Sequence, residues 1–289
     1  MNLITAGNQE KPIVSIIVPC FNQAEFIGEA LDSVLSQTCS DWQCVVVDDG
    51  STDGTEAIVG RYLSRDDRFV YLKKANGGVA SARNLGIRNS SGEFILPLDG
   101  DDKLHKDYLR TVMAYFSAHP EADLVYTQVE LFGAKRGVNR LPAYDYQRLL
   151  FDNMIVSTSM YRRTLYDKTV GYAENMRAGL EDWEFYIRLL GPESKVHRID
   201  SPLFFYRIKK SSRSTQISAG GHFCELARQI YENNKERYSE VVENPIFAFR
   251  SAMQIFRPDM VGRYKRQKVY IHCAYLVIIA ILLVAWGLS

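Results

Sequence analysis

The sequence predicts an α/β fold with a mostly parallel central sheet flanked by helices. Three observations carry that expectation. Short apolar, β-branched runs recur through the first half of the chain, each followed by apolar residues spaced three or four apart. Acid-rich polar clusters follow several of these runs directly, at the strand ends where open α/β sheets bind ligands. Apolar residues make up 46% of the 289, enough for a sizeable core.

The elements follow in order. Ile13 to Val18 reads as a buried strand, and Ile27, Leu31, Val34 and Leu35 mark one face of a helix. Gln43 to Val47 is a second strand, and Ile58, Val59, Tyr62 and Leu63 a second helix. Phe69 to Leu72 is a third strand, Val79 to Ile87 a small-residue helix, and Phe94 to Leu98 a fourth strand. A helix through Leu109, Val112, Met113 and Phe116 leads to a strand over Leu124 to Leu131. Gly133 to Pro142 reads as a loop. Ser157 to Tyr161 and Val196 to Tyr206 are extended, and Glu181 to Leu190 is helical. Phe223 to Tyr238 and Pro245 to Phe256 are helices outside the sheet. This divides the chain into a polar tail over 1–11, a main domain over 12–218 and a helical extension over 219–268.

Residues 269–288 differ in character, with one His and no charge. Twenty helical residues span roughly 30 Å, the thickness of a bilayer core. Arg263, Lys265, Arg266 and Lys268 precede them, which predicts a membrane helix with the main domain in the cytoplasm. A buried core helix or an in-plane, membrane-associated one is the alternative, although an in-plane helix should show a polar face and this segment has none. The net charge of +1 offers no field to recruit nucleic acid. The five cysteines, Cys20, Cys39, Cys44, Cys224 and Cys273, have neither zinc nor redox spacing and read as reduced thiols. The five histidines are scattered, and none is assigned a ligand role.

Four clusters could carry chemistry. In Asp99-Gly100-Asp101-Asp102 three carboxylates repel one another and need a cation or strong hydrogen bonds. A divalent metal, Mg²⁺ or Mn²⁺, meets that need, and an acidic turn capping a helix fits equally well. Asp48-Asp49-Gly50-Ser51 could accept from a ribose hydroxyl or a base N–H, although an Asx turn explains it more simply. Gly77-Gly78 opens a helix whose free N–H groups favour anions, and Arg83 one turn on could pair with a phosphate, or be a surface Arg. Glu181-Asp182 opens another helix, as acids often do, and Asp182 could act as a general base.

Their order and spacing resemble the inverting family-two nucleotide-sugar glycosyltransferases, which have the GT-A fold. The residues carrying the resemblance are Val14 to Asn22, Val47 to Thr55, Asn76-Gly77-Gly78 with Ala82-Arg83-Asn84, Leu98 to Asp102, and Glu181 to Glu184 with Arg188-Leu189. It covers roughly residues 12 to 215. The resemblance implies that Pro19, Phe21 and Asn22 line the nucleotide site and that Asp49 contacts the base. Arg83 would lie near the nucleotide, Asp99 toward the ribose and metal, and Asp101 toward the metal. Asp182 of the Glu181-Asp182 pair would be the base in one inverting displacement, with Glu181 at the substrate beside it. It implies a nucleotide-sugar donor, with UDP favoured, a divalent metal, and a saccharide or lipid-linked acceptor.

One departure stands out. Many members carry a His shortly after Tyr-Arg, and here Tyr206-Arg207 is followed by Lys209. A protonated Lys has no lone pair for a metal, but it can hold a diphosphate as a point charge. Lys209, Lys210 and Arg213 could form a phosphate clamp or a solvated basic loop. Two other enzyme classes fit less well. A nucleotidyltransferase needs a glycine-rich basic loop after the first strand, and a dinucleotide dehydrogenase needs Gly-x-Gly-x-x-Gly there. This chain has Pro19-Cys20-Phe21-Asn22-Gln23. A non-catalytic, membrane-tethered binding protein on the same fold is the remaining alternative, and the joint presence of Asp99, Asp101 and Asp182 argues against it.

Overall fold

A computed structural model describes residues 12–209 and 223–241. Its first half alternates strand and helix as the periodicity predicts: β1 (Val14–Cys20), α1 (Ile27–Leu35), β2 (Trp42–Asp48), α2 (Thr55–Leu63), β3 (Phe69–Lys73), α3 (Val79–Arg88) and β4 (Phe94–Pro97). The short β5 (Lys103–Leu104) precedes α4 (Tyr108–Ala118) and the long β6 (Leu124–Gly133). The predicted loop over Gly133 to Pro142 instead contains β7 (Gly137–Asn139), paired antiparallel to β6. Short α5 (Tyr146–Leu149), β8 (Met160–Arg162) and α6 (Arg163–Tyr166) lead to α7 (Glu181–Leu189) and the 13-residue β9 (Val196–Ile208). The single helix expected over Phe223 to Tyr238 is broken at Asn234 into α8 (Phe223–Asn233) and α9 (Lys235–Val241). Asn234 turns its amide inward, donating to Glu184 Oε1 at 3.1 Å and to the Ile230 carbonyl at 2.9 Å.

The strands form one mixed sheet in the order β3-β2-β1-β4-β8-β6-β9-β5. β3, β2, β1 and β4 are all parallel, β8 reverses direction beside β4, and β6 and β9 are parallel again. Alternation along the central strands feeds two cores. Ile16, Val18, Cys44 and Val46 face α1 and α4 on one side. Ile17, Val45 and Val47 face α3 and α7 on the other. Gly86 lets α3 lie close on the sheet, since a Cβ there would come 2.6 Å from Ile17 Cγ2.

Opposite Thr127 and Gln128 the β6–β9 register slips: Thr127 pairs with Ile199, Gln128 with Pro202 and Val129 with Phe204. Pro202 has no N–H to offer a ladder and sits at this irregularity. Beyond it β9 also pairs with β5, Lys103 opposite Phe205, which brings the end of β9 beside the acidic loop 99–102. The tail 1–11, the stretch Pro245 to Phe256 expected to be helical, the segment 269–288, Lys210 and Arg213 lie outside the described residues. Among the described residues no helix is long and apolar enough to cross a membrane.

Candidate active site

β1 and β2 end level, Cys20 opposite Asp48, and β4 ends beside Ile17, so three acidic or polar loops open on one rim. Phe21 stands 46% exposed there, a free aromatic face at the end of β1. Pro19 is buried within β1 and shapes the rim from below. Asn22 takes φ 51, and its Oδ1 accepts from Thr52 N at 2.9 Å while its own N–H donates to Ser51 Oγ at 2.9 Å. Asn22 thereby ties the β1 loop to the β2 loop. Asp49, expected at the base, is 3% exposed. It accepts from Lys74 Nζ at 2.7 Å, Gly77 N at 2.9 Å and Gly78 N at 2.7 Å. Its carboxylate is committed to the turn that opens α3.

Arg83 is the centre of the arrangement. Expected to face a phosphate, it is 1% exposed and reaches between two acids instead. Nη2 donates to Asp99 Oδ1 at 2.6 Å, and Nη1 donates to Glu181 Oε1 at 2.8 Å. Burial works against its charge, but Asp99 and Glu181 outweigh burial and hold the guanidinium protonated. One side chain thus fixes the acidic loop after β4 to the start of α7.

α7 begins under strain. Leu180 has φ 59, and together with Asn22 it accounts for the non-glycine residues in the left-handed region among those described. Both lie at this rim. The turn at Leu180 sends Glu181 inward to Arg83 and leaves Asp182 half-buried at the cleft. Enclosure by protein, then the charge of Glu181, raises the Asp182 carboxyl to about 6, with Arg83 pulling the other way. That value suits a base working near neutrality. Trp183 N donates to Asp182 Oδ1 at 2.8 Å, and Asn153 Nδ2 lies 3.4 Å from the same atom. Asn153 belongs to a loop with no motif, and nothing in the sequence marks it.

The acidic loop 99–102 is compensated from β9. Gly100 presses it onto β1, since a Cβ there would be 3.0 Å from Ile27 Cδ1 and 3.3 Å from Cys20 Cβ. Lys209 Nζ is 2.5 Å from Asp101 Oδ2. Arg207 donates from Nε to the Asp101 carbonyl at 2.7 Å and from its backbone N to Asp102 Oδ1 at 2.7 Å. Its guanidinium also pairs with Glu29 at 2.9 Å and lies between the rings of Phe26 and Phe132. Asp102 is 2% exposed. Burial first, then Asp101 and Asp99, push its carboxyl well above the usual range and favour its neutral form.

These pairings bear on the expected metal. A hard dication wants several oxygen ligands. Here Asp99 Oδ1 faces Arg83, and Asp101 Oδ2 faces an ammonium. Among the described residues no three His, Cys, Asp or Glu side chains are grouped to hold a metal ion. As arranged, Asp99 and Asp101 do not fit a dication, which would have to sit against Lys209.

The sequence profile described as Glycosyl transferase family 2 matches residues 15–184, more than half of the chain. The chain belongs to that family. It therefore carries a glycosyltransferase domain, and the matched span contains Asp99, Asp101, Arg83 and Asp182. A PGL/p-HBAD biosynthesis glycosyltransferase of Mycobacterium bovis is 35% identical over 192 residues, covering 65% of this chain and 73% of the relative. Glycosyltransferase GlyA of Streptococcus pneumoniae is 28% identical over 218 residues, 70% of this chain. The chain spans 31% of the length of GlyA. Among solved structures, Staphylococcus aureus TarS 1–349 in complex with UDP-GlcNAc aligns with a TM-score of 0.65 at 23% identity, covering 78% of this chain and 69% of TarS. The mannosyltransferase PcManGT of Pyrobaculum calidifontis, solved with GDP-Man and Mn²⁺, aligns at 0.61 with 18% identity, covering 97% and 89%. These similarities show the family-two fold, the GT-A architecture expected from the motifs.

Proposed function

We propose that this family-two domain transfers a glycosyl group from a nucleotide-sugar donor, a UDP-sugar, to a saccharide or lipid-linked acceptor with inversion. The observation that carries the reading is the Asp99–Arg83–Glu181 bridge, which locks the donor-side acidic loop to the helix bearing Asp182. The UDP-GlcNAc complex of TarS supports a uridine donor at a site of this fold.

In this reading Phe21 offers a ring to the base, and Asp99 lies toward the ribose. Arg83 and Glu181 act as positioning residues beneath them. Asp182 takes the proton of the acceptor hydroxyl as its oxygen attacks the anomeric carbon, and the bond to the diphosphate oxygen breaks with its electron pair. Attack from the face opposite the leaving group inverts the configuration. Pre-set geometry matters more than any single contact, because a small displacement of the base costs about 100-fold in rate. Asp99 and Asp101 are held by Arg83 and Lys209. The apolar run at 269–288 and its basic flank support work at the cytoplasmic face of a membrane, tested by fractionating the full chain with and without those residues.

Isothermal titration with UDP-, GDP- and dTDP-sugars, followed by product analysis, tests the function. One donor class should bind, and Asp182→Asn should keep that binding while losing transfer. A product of retained configuration would sink the inverting mechanism. Donor binding without turnover in the wild type would favour the non-catalytic binding protein.

A further inference from the structure

We propose that Lys209 is the resident cation of the diphosphate site, so that the enzyme binds and cleaves its donor without a divalent metal. This rests on the nucleotide-sugar reading above and adds what neutralises the leaving group.

Asp101 is the carboxylate that family resemblance assigns to a metal, and a cation already stands at it, Lys209 Nζ at 2.5 Å from Oδ2. An ammonium has three donors and no acceptor. Asp101 uses one, which leaves donors for phosphate oxygens. Lys209 remains 25% exposed, so its head is anchored but not sealed. Its Nζ also lies 4.7 Å from the Phe26 ring centroid, and that ring face favours a cation over a neutral group.

Carboxylates around the site already have cationic partners. Arg83 answers Asp99 and Glu181, Arg207 and Lys103 answer Glu29, and Lys209 answers Asp101. Asp102, the remaining acid of the loop, is buried and accepts the Arg207 N–H at 2.7 Å. A dication held by Asp101 would meet the Lys209 ammonium at close range and be repelled. A diphosphate brings negative charge to a place that presents an ammonium, and the two attract.

As the anomeric C–O bond breaks, its electron pair goes to the terminal diphosphate oxygen, and Lys209 donates hydrogen bonds to the charge that develops there. No proton need transfer, because the diphosphate leaves as an anion. Arg207 is a positioning residue: its contacts to the Asp101 carbonyl and the Asp102 carboxyl fix the end of β9 against the acidic loop.

The test uses the full chain, with UDP as the probe for binding and the UDP-sugar for turnover, each with Mn²⁺ and with chelator. Manganese EPR on the protein alone reports metal binding directly. Wild type should bind UDP equally in both conditions, turn over the donor with less than about a 2-fold effect of chelation, and leave the Mn²⁺ spectrum free. Lys209→Ala should lose about 100-fold in kcat, the cost typical of deleting one donor to developing charge. Its UDP affinity should fall about 10-fold in chelator. Lys209→His restores a possible metal ligand and should gain Mn²⁺ stimulation and a bound Mn²⁺ signal, a readout that a folding defect could not produce. UDP binding to wild type only with Mn²⁺, or an unchanged kcat in Lys209→Ala, overturns the inference while leaving the donor reading intact. Failure of any nucleotide to bind wild type in either condition overturns both.

Discussion

Arg83 Nη1 donates to Glu181 Oε1 at 2.8 Å, joining residues 98 apart in sequence inside the protein. The same guanidinium holds Asp99, so removing it leaves two acids without their partner, one of them buried. Arg83→Met should destabilise the fold by about 3–5 kcal/mol, as expected when one partner of a buried ion pair is lost. Arg83→Lys should recover little, because a point charge cannot span both carboxylates as the planar guanidinium does. Urea denaturation at neutral pH checks this. A loss below about 1 kcal/mol would mean that the bridge does not hold the two loops together.

The raised carboxyl of Asp182 predicts a pH profile. Transfer needs the ionised form, so kcat should rise through an apparent value of about 6 and level off above it. Stability should run the other way. A carboxyl whose folded pKa exceeds its unfolded pKa binds its proton more tightly when folded, so stability falls as pH rises from about 4 through about 6. Asp182→Asn should therefore be inactive yet more stable than wild type at pH 8, by on the order of 1–3 kcal/mol, with the gap closing below pH 4. Thermal melts at both pH values check the sign.

Phe21 offers a second test on the donor side. Nearly half exposed, it contributes little to the core, so Phe21→Ala should leave stability within about 1 kcal/mol. Loss of a stacking face should weaken UDP binding by about 1–3 kcal/mol, or roughly 5- to 150-fold. Titration calorimetry on the folded variant reads this directly, and an unchanged affinity would move the base elsewhere on the rim.

Asn84 looks like a site residue in the sequence, one position after Arg83, but it is 3% exposed and holds the backbone. Nδ2 donates to the Tyr172 carbonyl at 2.8 Å, while Oδ1 accepts from Tyr172 N at 2.8 Å and Tyr166 OH at 3.0 Å. Tyr172 in turn stacks on Phe185 of α7, with centroids 3.9 Å apart. Asn84→Asp removes the donor and buries a charge, and should cost about 2–4 kcal/mol. Denaturation midpoints should show that loss before any change in donor affinity of the remaining folded protein.

The parallel half of the fold was legible because buried strands and amphipathic helices leave their periods in the sequence, as Val45 to Val47 and Leu31 to Leu35 do. The acidic clusters were legible as a set, and so was the family. What their side chains face was not. Asp49 and Arg83 carry the charges expected at a ligand, yet each is turned inward by partners from distant segments, Gly77-Gly78 for one and Glu181 for the other. β7 was hidden because its three exposed residues, Gly137 to Asn139 between Arg136 and Arg140, carry no alternation. The break at Asn234 was hidden because it depends on Glu184, fifty positions away.

The slip between β6 and β9 makes the segment from Ile199 to Phe204 sensitive to number rather than to kind. Successive residues of a strand point to opposite faces, so Arg207 and Lys209 meet the acidic loop only while the count upstream is kept. Asp200 and Ser201 are exposed, and exchanging either for another polar residue should pass unnoticed. Removing one of them would leave every side chain of the site present in the chain and reverse which way the end of β9 looks. In this stretch substitution and deletion part company: a lineage of such enzymes can drift freely in letters here while its length stays locked.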